Sequence, residues 1–163
     1  MVNFATFWAW LTALVAALSF GPSFAHVLEA LPRLRLWSPE LWRETTVFNA
    51  QFQYFLVVGA PLDVAAIILP IVLAFLVKAN GSAFIAVAIG AAFYALALAL
   101  WFLLVAPANA VLATWTPGPI PTDFAAVQWR WEAGHMAVAS AKLVGFAALA
   151  FALLLMGRGP SPQ

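Results

Sequence analysis

The chain has 163 residues, 66% hydrophobic and only 8% charged, with a mean hydropathy of +1.00 and a net charge of +1. Soluble domains carry about 25% charged residues, so an ordinary soluble domain is excluded, and the near-neutral charge offers no footing for a nucleic-acid partner. No cysteine is present, which removes disulfides, thiolate metal sites, iron–sulfur clusters and thiol nucleophiles; imidazole chemistry has only His26 and His135 to draw on.

The first apolar run, from about Phe4 to Leu31, is long enough to cross a hydrocarbon core of about 30 Å at 1.5 Å per residue. Met1 to Ala25 contain no Lys or Arg. The run thus lacks the basic start of a secretory signal and reads as a retained membrane span. Gly21-Pro22 predicts a kink. His26 and Glu29 lie three apart, hence on one helical face, and Pro32 is expected to help end the helix. Arg33 to Trp37 reads as a short basic linker.

Ser38-Pro39-Glu40 combines a cap, a proline at the first helical position and an acid in the first turn. It opens a polar helical extension over 39–53. With Trp42, Glu44, Asn49, Gln51 and Gln53, that extension is too polar for the bilayer core. It is expected to run into the second span, at about 54–77, which contains Pro61, Asp63 and Pro70. Lys78-Ala79-Asn80-Gly81-Ser82 reads as a tight turn, with left-handed positions at Asn80-Gly81 and Ser82 as the next cap. The third span, about 83–105, is rich in alanine and contains Gly90, Tyr94 and Trp101; small residues permit close helix approach. Pro107 to Thr122 is expected to be irregular. Thr122-Asp123 then begins a last helix to about Met156. Its roughly 34 residues measure about 51 Å, so its first turns are expected to project from the bilayer. The tail 157–163 reads as disordered.

The expected fold is all-α: an integral membrane four-helix bundle of up-down-up-down antiparallel topology, one domain over 1–163, with spans 4–31, 54–77, 83–105 and 123–156. The elaborated connections, between spans 1 and 2 and between spans 3 and 4, share one face. Loops that carry function cluster in this way. The expected location is the cell (inner) membrane. A Lys/Arg count places the elaborated face in the cytoplasm. The bilayer and a hydrophobic small molecule are the expected partners, with a homo-oligomer or a larger membrane complex left open.

The chemistry converges on Gln128–Lys142. Gln128, Glu132, His135, Ala139 and Lys142 follow i, i+4, i+7, i+11, i+14 and share one helical face. In an antiparallel pair with the first helix, His26-x-x-Glu29 and Glu132-x-x-His135 are mirror images. The two His would share one depth, and the two Glu another nearer water. Glu-x-x-His pointing into a bundle is the ligand pattern of di-iron carboxylate proteins, in which two further helices each add a Glu. Here the second helix offers only Asp63, or Glu44 nearer the surface, and the third offers Asn109 after its end. Three readings stay open. His26, Glu29, Glu132 and His135 could hold a single iron, copper or zinc ion. They could form interior polar pairs without metal. His26 and His135 could be axial ligands of a b-type haem. Asp63 and Lys142, each costly alone at depth, are expected to pair structurally, with a proton-relay or catalytic lysine as the alternative. Trp8, Trp10 and Trp101 read as belt or packing residues. Trp37, Trp42, Trp115, Trp129 and Trp131 read as interfacial anchors, or as the wall of a pocket for a flat ligand.

Pro107–Asn109, Trp115, Pro121-Thr122-Asp123-Phe124, Arg130-Trp131-Glu132 and His135 together resemble the signature of the anthrone oxygenase-like family of small four-helix membrane proteins. Ala25-His26-Val27-Leu28-Glu29, followed by Pro32, is similar to the end of the first helix in some members. The position three after the histidine, often Arg in that family, is Val138. The resemblance implies a membrane oxidoreductase acting with dioxygen on an activated aromatic or quinol-like substrate. It further implies that Glu132 or His135 removes the substrate proton and that Asn109, Trp115, Arg130 and Trp131 hold the substrate. The alternative class is a non-catalytic accessory subunit or lipid-binding bundle.

Overall fold

The computed structural model describes residues 3–49 and 55–157, and every regular element among them is helical. Helix α1 spans Phe4–Arg35, α2 Pro39–Arg43, α3 Ala60–Leu76, α4 Gly81–Leu100, α5 Ala106–Leu112 and α6 Phe124–Gly157. Wider π-helical turns continue α2 (Glu44–Phe48), lead into α3 (Phe55–Gly59) and join α4 to α5 (Trp101–Val105). Four stretches, Phe4–Arg35, Phe55–Leu76, Gly81–Leu112 and Phe124–Gly157, are long and apolar enough to cross a membrane. The chain is an integral membrane protein.

Its packing is that of a bundle dissolved in lipid. Small residues fill the interior: Ala9, Ala16, Ala66, Ala83 and Ala97 are fully or almost fully buried. The large apolar side chains of Phe7, Leu18, Ile68, Phe75, Ile85 and Leu154 point outward. With hydrocarbon on the outside, burying leucine gains little, and close backbone contact holds helices together instead. Gly90 and Gly145 are the closest case. A Cβ on Gly145 would stand 2.9 Å from the Tyr94 ring and 3.2 Å from the Gly90 carbonyl oxygen, and one on Gly90 would stand 2.6 Å from Leu149. Tyr94 itself donates to the Ala16 carbonyl at 2.7 Å, joining α4 to α1.

Four sequence expectations are corrected. First, α1 does not stop near Leu31. It runs through Pro22 and Pro32 to Arg35, although an interior proline loses its own hydrogen bond and crowds the carbonyl four residues back. The extra turn puts Arg33 on the helix instead of in a linker. Second, the third span does not end at Val105: the chain stays helical to Leu112. Pro107 lacks an N–H, and the π turn just before it absorbs the break in register. The π turn Phe55–Gly59 stands just before Pro61 in the same relation. Third, Asn80 caps α4 by accepting from Ala83 N at 3.2 Å, so Gly81 starts the helix and Ser82 is not the cap. Fourth, among the described residues the positive-φ glycine is Gly118, at φ 144° in the α5–α6 connection, not Gly81. Gln51, Gln53 and Tyr54 of the expected polar extension, and the tail 158–163, lie outside the described residues.

Candidate functional site

The polar groups meet where α1, α2, α5 and α6 come together. Arg33 stands at their centre, 2% exposed. From α1 its guanidinium reaches His26 Nδ1 at 3.2 Å, the His26 carbonyl oxygen at 3.3 Å and Glu29 Oε2 at 3.2 Å. Across the bundle its Nε lies 3.2 Å from Glu132 Oε1. Glu132 is wholly buried and also accepts the Trp42 indole N–H at 3.0 Å. An arginine can only donate, so His26 Nδ1 accepts and the ring carries its proton on Nε2. Buried charge is tolerable only when paired and hydrogen-bonded. These contacts supply most of that, leaving Glu132 Oε2 and Arg33 Nε without a hydrogen-bond partner among the described residues; Nε meets Glu132 as an ion pair only.

Beside this cluster, the His26 and His135 rings stack with centroids 4.3 Å apart and planes 20° apart. Trp131 packs edge-on against both, at 5.4 and 4.3 Å, and donates its N–H to Asn109 Oδ1 at 2.9 Å. No hydrogen bond ties either ring nitrogen of His135 to a described residue. The histidine pair divides two cavities. One, of about 140 Å³, is walled by Phe55, Leu56, Trp101, Asn109 and Trp131. The other, of about 90 Å³, reaches Ser19, Asp63 and Lys142. Both π turns adjoining the membrane spans contribute walls here, through Phe55 and Trp101. A π turn re-aims side chains that a regular helix would stack elsewhere.

Below the pair, Lys142 Nζ lies 2.6 Å from Asp63 Oδ1 and donates to the Ser19 carbonyl at 3.2 Å. The Ser19 hydroxyl donates to the same Asp63 oxygen at 2.6 Å. The carboxylate, the ammonium and the hydroxyl join α3, α6 and α1 in one knot.

The groups expected to share a metal do not form a ligand set. Among the described residues no three His, Asp or Glu side chains come together as ligands. Glu29 and Glu132 both face Arg33. Ring planes tilted by only 20° do not meet within the about 2.1 Å reach of both imidazoles, so one ion cannot lie in both planes. The stacked arrangement is not that of axial haem ligands, which stand on opposite sides of a porphyrin. The positive charge among these carboxylates is the guanidinium of Arg33.

Of the expected substrate contacts, Asn109 and Trp131 reach the cavity, while Arg130 is exposed. Trp115 stacks on Phe124 and meets Trp42 edge-on, away from the histidines. Two residues were missed. Arg33 shares the face of His26 and Glu29 at i, i+3, i+7, a signal hidden by ending the helix too early. Trp42, which reads as an interfacial anchor or a pocket wall, is fully buried; no pattern in its own segment foretells its bond to Glu132. No family model, no curated protein and no solved structure matches the chain.

Proposed function

We propose that this chain is a membrane oxidoreductase of the anthrone oxygenase-like type, acting on a hydrophobic phenol, quinol or similarly activated aromatic held at the histidine pair. The observation that carries the reading is His135: an imidazole in the bundle interior, stacked and oriented by its neighbours, with nitrogens that no described residue bonds and that border a cavity walled by aromatics. Polar groups inside a membrane are costly and are found where they serve a function.

In this reading an imidazole nitrogen of His135 takes a proton from a phenol or an acidified C–H, and the side-chain amide of Asn109, on the wall of the same cavity, holds the substrate oxygen. The fixed charge of Arg33 favours the anion that forms. The carbanion adds dioxygen at carbon, and loss of water from the hydroperoxide leaves a new carbonyl. Glu132, the other expected base, is held by Arg33 and Trp42 and lines neither cavity. Its role is to keep Arg33 in place.

The reading includes an up-down-up-down antiparallel bundle in the cell (inner) membrane. Contacts between helices support the topology, because partners run in opposite order: Leu104 faces Gly134, Tyr94 faces Gly145, and Gly90 faces Leu149. On α1 and α6, Ser19 meets Lys142, His26 meets His135, and Arg33 meets Glu132.

A second reading, a non-catalytic accessory or lipid-binding bundle, is favoured by the two ion pairs that tie α6 to α1 and α3. Oxygen uptake by purified protein reconstituted in liposomes, supplied with quinols, separates the two. Turnover lost in His135→Ala supports the oxidoreductase. No turnover and no ligand binding by the wild type supports the accessory bundle.

A further inference from the structure

Three hollows in this bundle adjoin one another. The cavity below the histidine pair shares Pro22, Phe55 and Gly59 with an apolar groove of about 200 Å³, which Val58 and Leu62 complete on the outer side. The same cavity shares His26, His135, Phe55 and Trp101 with the aromatic-walled cavity above. The series therefore runs from a fully apolar surface, where Phe55 and Val58 face outward, to an interior end where polar groups border the space. Two features of the sequence keep the outer passage wide. Pro22 carries no long side chain, and Gly59 carries none; a Cβ built on Gly59 meets nothing within 4 Å.

Volume limits what the inner end accepts. An apolar cavity of about 150 Å³ takes one benzene-sized ring, and the cavity walled by Trp101 and Trp131 measures about 140 Å³. A fused three-ring skeleton exceeds it. One ring with hydroxyl groups fits, and the remainder of the ligand must leave through the groove. That groove is apolar throughout and opens on the outer surface between α1 and the start of the second span.

We propose that the site takes a single-ring phenol or quinol carrying an apolar tail. The ring lies beside His135 and Trp131, the tail lies in the groove between Pro22 and Gly59, and the molecule arrives sideways from the bilayer. This rests on reading the histidine cavity as a ligand site, and it adds the ligand's class and its route.

The test uses the full chain reconstituted in lipid nanodiscs. Binding of a decyl-substituted hydroquinone and of unsubstituted hydroquinone is followed by quenching of tryptophan fluorescence. Gly59→Leu fills the groove with a side chain that the open space can hold, and Gly59→Ala reports any effect of merely adding a Cβ. We expect Gly59→Leu to weaken the decyl compound at least tenfold and to leave unsubstituted hydroquinone within twofold of wild type, with Gly59→Ala near wild type for both. If Gly59→Leu binds the decyl compound as wild type does, the groove holds a lipid chain and the proposal is overturned, while the histidine site stands. If wild type binds neither compound, the histidine site itself fails, and the proposal fails with it.

Discussion

Arg33 Nε and Glu132 Oε1 stand 3.2 Å apart on α1 and α6, with 2% and 0% of the two side chains exposed. Such a pair is costly to desolvate and costly to break. Removing one partner strands a buried charge, at about 3–5 kcal/mol, whereas replacing both by apolar groups of similar volume is often neutral. Arg33→Met and Glu132→Leu singly are therefore expected to lose about that much stability each, and the double variant to recover most of it. Unfolding by sodium dodecyl sulfate from mild detergent micelles measures the cycle. Additive losses would show that the pair is not coupled.

The Lys142–Asp63 pair predicts a second, weaker cycle. Asp63 keeps 22% of its side chain exposed, so Lys142→Met, which strands that carboxylate, is expected to cost less than a fully buried case, about 2 kcal/mol once screening is allowed for. Ser19→Ala removes only the hydroxyl donor to the Asp63 carboxylate and is expected to cost about 1.5 kcal/mol, the low end for a hydrogen bond to a charged group. The same unfolding assay reads both. A Ser19→Ala loss equal to that of Lys142→Met would contradict the assignment of Lys142 as the main partner.

Close packing on α4 and α6 makes a third prediction. Gly145→Ala pushes a methyl to within 2.9 Å of the Tyr94 ring, an overpacking that costs about 1–3 kcal/mol. Gly21→Ala, where a Cβ meets nothing within 4 Å, is expected to be neutral or slightly stabilising through helix propensity. Equal effects at the two glycines would mean that backbone flexibility, not contact, governs both.

Trp42→Phe keeps an aromatic ring among Trp131, Trp115 and Phe124 but removes the N–H that Glu132 accepts at 3.0 Å. A hydrogen bond to a charged group is worth about 1.5–3 kcal/mol, and the variant is expected to lose that much. Since Trp42 does not line the histidine cavities, ligand binding should survive at temperatures where the variant is folded. Thermal unfolding beside a binding isotherm separates the two effects.

The four long apolar helices were legible because bilayer thickness and hydropathy constrain length directly. The meeting of His26 with His135 and of Asp63 with Lys142 was legible because helical spacing assigns faces. What defeated the sequence reading was proline. Pro32 and Pro107 read as helix ends, yet α1 continues to Arg35 and the third span to Leu112. In the first case the consequence was chemical: an arginine assigned to a linker became the cation between two glutamates, and the metal set dissolved. Trp42 was illegible for a different reason. Its partner lies 90 residues away, and nothing local in Ser38–Arg43 distinguishes an interfacial tryptophan from a buried one. The stacking of His26 on His135 was equally beyond reach, since shared depth does not fix how two rings turn.

The most direct test of the central claim is oxygen uptake by the reconstituted protein with an alkyl-tailed hydroquinone, compared between wild type and His135→Ala at matched folded fraction. A positioned general base contributes about 10²–10⁴ in rate. The account predicts substrate-dependent uptake by wild type and at least a hundredfold loss in His135→Ala. Uptake unchanged by His135→Ala, or a wild type that neither consumes oxygen nor binds a phenol, would contradict it.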